Sequence, residues 1–124
     1  MVTKQIKPTE SELEILQVLW AKQTATVRDV HEILAAHKDV GYTTTLKLMQ
    51  IMHEKNMVHR DESNKTHIYT SKVSKATTQN YLVNKLVKGL FNGSPTELAL
   101  NALGTHKPTN AEIEALEAYL QQYK

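Results

Sequence analysis

Apolar residues recur at helical spacing along most of this chain and give way to short β-forming runs in one place only. Leu13, Leu16 and Trp20, widened by Ile15 and Leu19, form the first stripe, at the spacing that lines one face of an α-helix. Thr9-Glu-Ser-Glu12 precedes it as a capping box, in which the Thr9 hydroxyl accepts an orphan backbone N–H and Glu12 reaches back. This first helix is predicted to end near Lys22. Thr26-Val-Arg-Asp29 offers a second N-cap, with Asp29 favourable in the first turn. Val27, Val30, Ile33 and Leu34 then form a buried stripe that ends near Ala36. A third helix is predicted over residues 41–55, with Thr45, Leu48, Met49 and Met52 on its apolar side and Asn56 as a left-handed cap. Residues 57–62 and 66–71 read as two strands, joined by the hairpin-turn residues Ser63-Asn-Lys65. Val58, Ile68 and Tyr69 are β-formers placed to close a core against the third helix. The second and third helices make a helix-turn-helix, with residues 39–42 in the connection.

The remainder is helical. Tyr81, Leu82, Leu86 and Leu90 form a stripe that Val83, Val87 and Phe91 widen, a face too apolar for a hairpin to cover. Asn92-Gly93 ends it. Ser94-Pro-Thr-Glu97 opens another helix, with Pro95 at the first position and Glu97 completing a capping box; Leu98, Leu100 and Leu103 are its apolar members. Residues 104–108 break the chain. Thr109-Asn-Ala-Glu112 starts a last helix, with Ile113, Leu116, Tyr119 and Leu120 on its apolar side. These helices could fold back on the first half, pack on an unrelated partner, or interleave with the same helices of a second chain. Wide stripes beside a small first half favour the last. The predicted architecture is therefore mainly α: a winged helix-turn-helix at residues 1–72 and a helical dimerisation region at residues 73–124. The dimerisation candidates are Tyr81, Leu82, Leu86, Leu90, Ile113, Leu116 and Leu120.

Composition narrows the function classes. The 124 residues include no cysteine, so disulfide and thiol chemistry are out. No apolar run approaches the roughly 18 residues needed to span a bilayer. Met1-Val-Thr-Lys4 lacks the apolar centre of a signal peptide, which predicts a cytoplasmic location. The net charge of +2 is far from that of a basic tail and, taken alone, leans away from DNA binding. Binding requires only the contacting face to be positive, and Lys4, Lys7, Lys47 and Lys65 are candidates to share it. Glycines scattered at 41, 89, 93 and 104 make no phosphate loop, and no Ser/His/Asp signature is present, so an enzyme is not expected. His53, His59 and His67 lack the companions of a metal site; no metal or cofactor is predicted.

The outer face of the third helix is the candidate site. Thr43, Leu46, Lys47 and Gln50 lie roughly opposite its apolar stripe and offer a hydroxyl, an amide, one cation and a stranded leucine. Such groups suit a DNA major groove: Gln bonds adenine bidentately, Lys reaches guanine or phosphate, and Thr touches a thymine methyl. Thr43 and Thr44, at the helix start, can bond phosphates together with their backbone N–H groups. Lys65 on the hairpin tip, with Arg60 behind it, is the candidate backbone contact. A core helix with a quiet outer face has the same pattern, as does a winged helix that binds protein instead of DNA.

Pro8-Thr9 with Glu12, Leu19-Trp20, Tyr42-Thr-Thr-Thr45 with Leu48, and His67-Ile-Tyr69 together resemble the penicillinase-repressor family. These are bacterial winged-helix repressors of the BlaI/MecI/CopY type. The resemblance continues through Asn84-Lys85, Lys88-Gly89, Phe91-Asn92, residues 98–101 and Glu112-Ile-Glu114. It lacks the C-terminal cysteine cluster of the copper-responsive branch. The resemblance implies a cytoplasmic homodimer that represses genes, of the β-lactam-resistance type, from a palindromic operator. It also implies release by proteolysis, with a membrane metallopeptidase sensor as partner. The matching bond is Asn101-Ala102; better-known members place phenylalanine after that asparagine. No sequence feature marks a pocket for a small inducer.

Overall fold

The computed structural model describes residues 7–124. Its elements run α1 (Glu10–Lys22), α2 (Val27–Ala35), α3 (Tyr42–Glu54), β1 (Val58–Asp61), β2 (Ile68–Ser71), α4 (Lys75–Leu90), α5 (Pro95–Thr105) and α6 (Asn110–Gln121). They belong to two compact units, the first ending at Thr78 and the second spanning Gln79–Lys124.

In the first unit three helices pack around a hairpin. Thr9 caps α1 as a complete box: its hydroxyl accepts the Glu12 N–H at 3.2 Å and its own N–H donates to Glu12 Oε1 at 2.9 Å. Thr26 and Asp29 cap α2 in the same reciprocal way. β1 and β2 pair antiparallel, with Val58 opposite Ser71 and Arg60 opposite Tyr69. Asn56 takes the left-handed conformation expected of it, with φ 64°, and the next N–H, that of Met57, returns to the Met52 carbonyl at 2.9 Å.

The core draws on every element of this unit. Ile15, Leu16 and Leu19 from α1, Val30 from α2, Met49 and Met52 from α3, then Met57, Val58 and Tyr69, are all essentially without solvent exposure. Burying side chains of this size contributes about 1.5–3 kcal/mol each. Val18 is buried as well, although it falls outside the expected stripe. Leu13, Trp20, Ile33, Leu48 and Ile68 are only half-buried, at the edge of the core. Trp20 sits there because its indole N–H donates to the Val73 carbonyl at 2.9 Å, tying the start of α4 to α1. One further link was not expected from the sequence. Ala25 and Tyr69 exchange backbone hydrogen bonds of 3.1 and 2.8 Å, adding a third chain segment to the edge of β2.

Glu12 is a buried carboxylate in this core, and Lys55 reaches it from the end of α3 at 2.9 Å. Burial pushes its pKa up, but the Lys55 hydrogen bond and charge and the Thr9 cap together hold it below the ordinary 4.5.

The second unit has well-formed helices and little core. Asn92 and Gly93 both take positive φ and end α4, and Gly93 N–H returns to the Val87 carbonyl at 2.8 Å. Thr109 and Glu112 make a complete capping box on α6. The box expected on α5 is only half made. Ser94 Oγ accepts the Glu97 N–H at 3.1 Å, but the Ser94 N–H is taken by the Phe91 carbonyl at 2.8 Å and is not free for Glu97. Gly104 does not break the chain as expected; α5 continues through Thr105, whose hydroxyl bonds back to the Ala102 carbonyl at 3.1 Å. Of the apolar residues in this unit only Val87 is buried, and α5 and α6 bury none.

Candidate nucleic-acid interface

α3 begins differently from its neighbours. α1, α2, α5 and α6 each start under a side-chain oxygen. α3 starts at Gly41, with no side-chain cap bond. Its first-turn N–H groups therefore keep their capacity for an outside acceptor, and the positive end of the helix dipole favours an anion. Thr43 and Thr44 stand exposed in this turn, and Lys47 and Gln50 are exposed further along the helix.

Leu46 does not lie stranded on the outer face, as its spacing suggested. It is half-buried and packs against the core, because the hairpin folds up beside α3 and covers that side of it. Leu46 thereby becomes part of a groove of about 530 Å³ between α2, α3 and the hairpin. Gln50, Arg60 and Lys65 also line this groove, so it brings four predicted site residues together; Thr43, Thr44 and Lys47 lie outside its lining. Lys4 falls outside the described residues.

The charged residues that line the groove are all basic. Arg28, Arg60 and Lys65 line it, and no Asp or Glu does. Lys65 sits in the exposed hairpin turn, which is shaped by Asp61 accepting the Ser63 N–H at 3.0 Å. The Ser63 hydrogen bonds hold the Asp61 carboxyl below its ordinary range. Arg60 is mostly buried against the hairpin, with its Nη2 3.3 Å from Glu62 Oε1. Its Nε is buried and makes no hydrogen bond. The Tyr69 hydroxyl, then Glu62, favour its charged form.

Arg28 was missed by sequence reasoning. Arg28 Cζ lies 5.6 Å from the centroid of the Tyr42 ring, a cation–π arrangement. The ring of His31 meets Tyr42 edge-on at 5.5 Å. His31 Nδ1 also lies 3.2 Å from Oγ1 of Thr45, the one hydroxyl of α3 that is fully buried. These contacts fix α2 against α3. The available signal was the position of Arg28 in the first turn of α2, where a cation opposes the helix dipole. Tyr69, the β-former expected to close the core, is buried there.

The other predicted sites lie in the second unit. Tyr81 and Leu82 are half-buried; Leu86, Leu90, Ile113, Leu116 and Leu120 are exposed, Leu86 at 46% and Leu90 at 69%. Asn101 and Ala102 are exposed in the middle of α5. A second groove lies between α5 and α6, where Leu103, Leu116 and Tyr119 make its apolar wall. Among the described residues no cluster of His, Cys, Asp and Glu could hold a metal ion.

The sequence model of the penicillinase repressor family matches residues 8–122. The penicillinase repressor of Staphylococcus aureus is 22% identical over 120 residues, covering 97% of this chain and 95% of its own length. The methicillin resistance regulatory protein MecI of Staphylococcus aureus strain N315 is 28% identical over 127 aligned positions, covering 98% of this chain and 99% of its own. Among solved structures, mutant MarR from E. coli complexed with operator DNA matches the fold with a TM-score of 0.53. That match has 16% identity and covers 94% of this chain and 75% of the other.

Proposed function

The chain belongs to the penicillinase repressor family, and from that premise we propose that it is a DNA-binding transcriptional repressor, not an enzyme, working as a homodimer on a palindromic operator. One surface supports the reading best. Thr43, Thr44, Lys47 and Gln50 stand exposed on α3, and the face runs through Gln50 into a groove that carries Arg28, Arg60 and Lys65 without a carboxylate. In this reading α3 enters the major groove with Gln50 and Lys47 towards base edges, and Leu46 gives apolar contact at its border. Thr43, Thr44 and the uncapped first turn take a phosphate. Lys65 holds the backbone from the hairpin tip.

The second unit supplies the pairing. Tyr81, Leu82, Leu86, Leu90, Ile113, Leu116 and Leu120 meet their counterparts in the partner chain, and two-fold symmetry sets two reading helices about one DNA turn, or a multiple of it, apart. The regulated genes are of the β-lactam-resistance type and the protein works in the cytoplasm. Among the described residues no helix is long and apolar enough to cross a membrane.

Repression ends, in this proposal, by cleavage of Asn101-Ala102 with a membrane metallopeptidase sensor as the partner. The bond is exposed, but it sits within a helix, so α5 must unwind before a protease can hold it extended. Its half-made cap and Gly104 in its last turn weaken that helix. A cut there separates the pairing surfaces and removes the advantage of binding two half-sites at once. The mass of the repressor in induced cells checks this step; an intact chain throughout derepression rules it out.

Selection of bound fragments from the source genome tests the central reading. It should yield a palindrome whose binding falls steeply with salt, by about 0.9 log units per log unit of salt for each phosphate contact. Lys65→Ala should weaken binding evenly across sequences and flatten that slope by about one contact per protomer. A winged helix that binds only protein would select nothing and show no such slope.

A further inference from the structure

We propose that Arg28 is a DNA-backbone contact positioned by Tyr42, and that it and Arg60 together seat a run of phosphates in the groove between α3 and the hairpin. The proposal rests on the repressor reading and adds to it the path of one DNA strand.

Arg28 is exposed, yet it is held. Its guanidinium lies 5.6 Å from the Tyr42 centroid, and Tyr42 is braced in turn by His31, whose ring stands nearly perpendicular at 85°. A guanidinium held over a ring by cation–π attraction keeps its hydrogen-bond donors available and has less freedom to lose on binding. Among the described residues Arg28 makes no ion pair with a carboxylate. A cation prepositioned without an internal carboxylate is suited to an outside anion.

Arg60 contributes from the hairpin. It carries a buried Nε with no hydrogen bond, and its guanidinium has Glu62 at 3.3 Å and the Tyr69 hydroxyl beside it. The Glu62 side chain is about half-exposed, at 53%, so it can turn to solvent. Its carboxylate holds the place that a phosphate oxygen would take on a guanidinium fork, and it competes with DNA for that place.

The occupant follows from the arrangement. Arg28 comes from α2, Arg60 from β1 and Lys65 from the turn, and all three line one groove whose nearest carboxylate partner is Glu62, paired with Arg60. A single small anion needs one such cation or two. Cations drawn from three elements along a groove beside the reading helix match a chain of phosphates.

The test uses the full-length protein with the selected operator and with a random duplex, measuring affinity across a range of salt. Arg28→Ala should weaken binding about tenfold on both duplexes and reduce the log-salt slope by about 0.9 per protomer. Tyr42→Leu keeps the charge and loses the ring, so affinity should fall several-fold with little change in slope. Glu62→Gln should tighten binding several-fold on both duplexes, and the gain should vanish in an Arg60→Ala background, which simple removal of a negative charge near DNA would not do. Unchanged affinity and slope in Arg28→Ala would overturn the Arg28 contact while leaving the repressor reading intact. A shifted base preference at constant slope would overturn it too. Glu62→Gln binding no tighter than wild type would overturn the Arg60 seat. Wild-type protein that binds neither duplex would instead remove the repressor reading beneath the proposal.

Discussion

The two units of this chain carry helices of equal quality and treat their apolar residues in opposite ways. In the first, Ile15, Leu16, Val30, Met49, Met52 and Met57 have no exposure at all. In the second, Val83, Leu86, Leu90, Leu100, Tyr119 and Leu120 all stand in the open. Local signals do not separate them, since Thr9 in the first unit and Thr109 in the second make the same complete capping box. The difference is closure. The hairpin and the Ala25–Tyr69 bridge cover the helices of the first unit from another side, whereas among the described residues most large apolar side chains of α4, α5 and α6 remain exposed. Caps and periodicity build helices; a core also needs something to close over them. On the proposed function, the second unit is half of a structure that a second copy completes.

Substitutions that hit one unit and spare the other should break or sharpen this contrast. Leu86→Asp carries the largest expected effect. In the chain alone Leu86 is half-exposed and a charge there costs little; in a paired unit it is buried or forces the chains apart, at about 3–5 kcal/mol. Dimer dissociation followed by dilution should show that loss, with operator affinity falling steeply and the first unit still folded. An unchanged dimer would remove α4 from the pairing surface.

Leu16→Ala strikes the closed core and should lower the stability of the first unit by about 3 kcal/mol, to the same extent at every protein concentration. Dependence of that loss on concentration, in denaturant titrations, would mean that the two units are not separable in this way.

Gln50→Ala leaves both units folded and should cost about 1–3 kcal/mol of discrimination at one base pair. Competition binding against single-base operator variants measures it. Equal loss on operator and random DNA would reassign Gln50 to the backbone.

The smallest effect concerns pH. The Glu12 carboxyl is held below its ordinary 4.5 in the folded chain, so it stabilises the first unit above that value and the contribution is lost as pH falls through the lowered folded value. Acid should therefore loosen the first unit, and Glu12→Gln should flatten the acid limb of its stability curve. An acid limb unchanged by Glu12→Gln would show that other carboxyls carry it.

The parts of this molecule that the sequence made legible are those fixed by near neighbours. Thr9 with Glu12, the stripes of α1 to α3, Asn56 and the hairpin each depend on residues a few positions apart, and each is present. Legibility fails where distant segments meet. Leu46 looked stranded because its helix was read alone; the hairpin beside it turns it into a groove wall. Arg28 was overlooked because its value comes from Tyr42, fourteen positions on, and from Arg60 on another element. Glu97 fell short of its box because Phe91 had already taken the Ser94 N–H. The groove, assembled from α2, α3 and the hairpin, has no signature in any one stretch of sequence.

The pairing of the second unit is the claim on which the rest depends, and sedimentation of the full chain at micromolar concentration tests it most directly. The paired protein should sediment as a species of twice the 14.1 kDa chain mass, returning to a monomer in Leu86→Asp. A wild-type chain that sediments as a 14.1 kDa monomer at that concentration would contradict it.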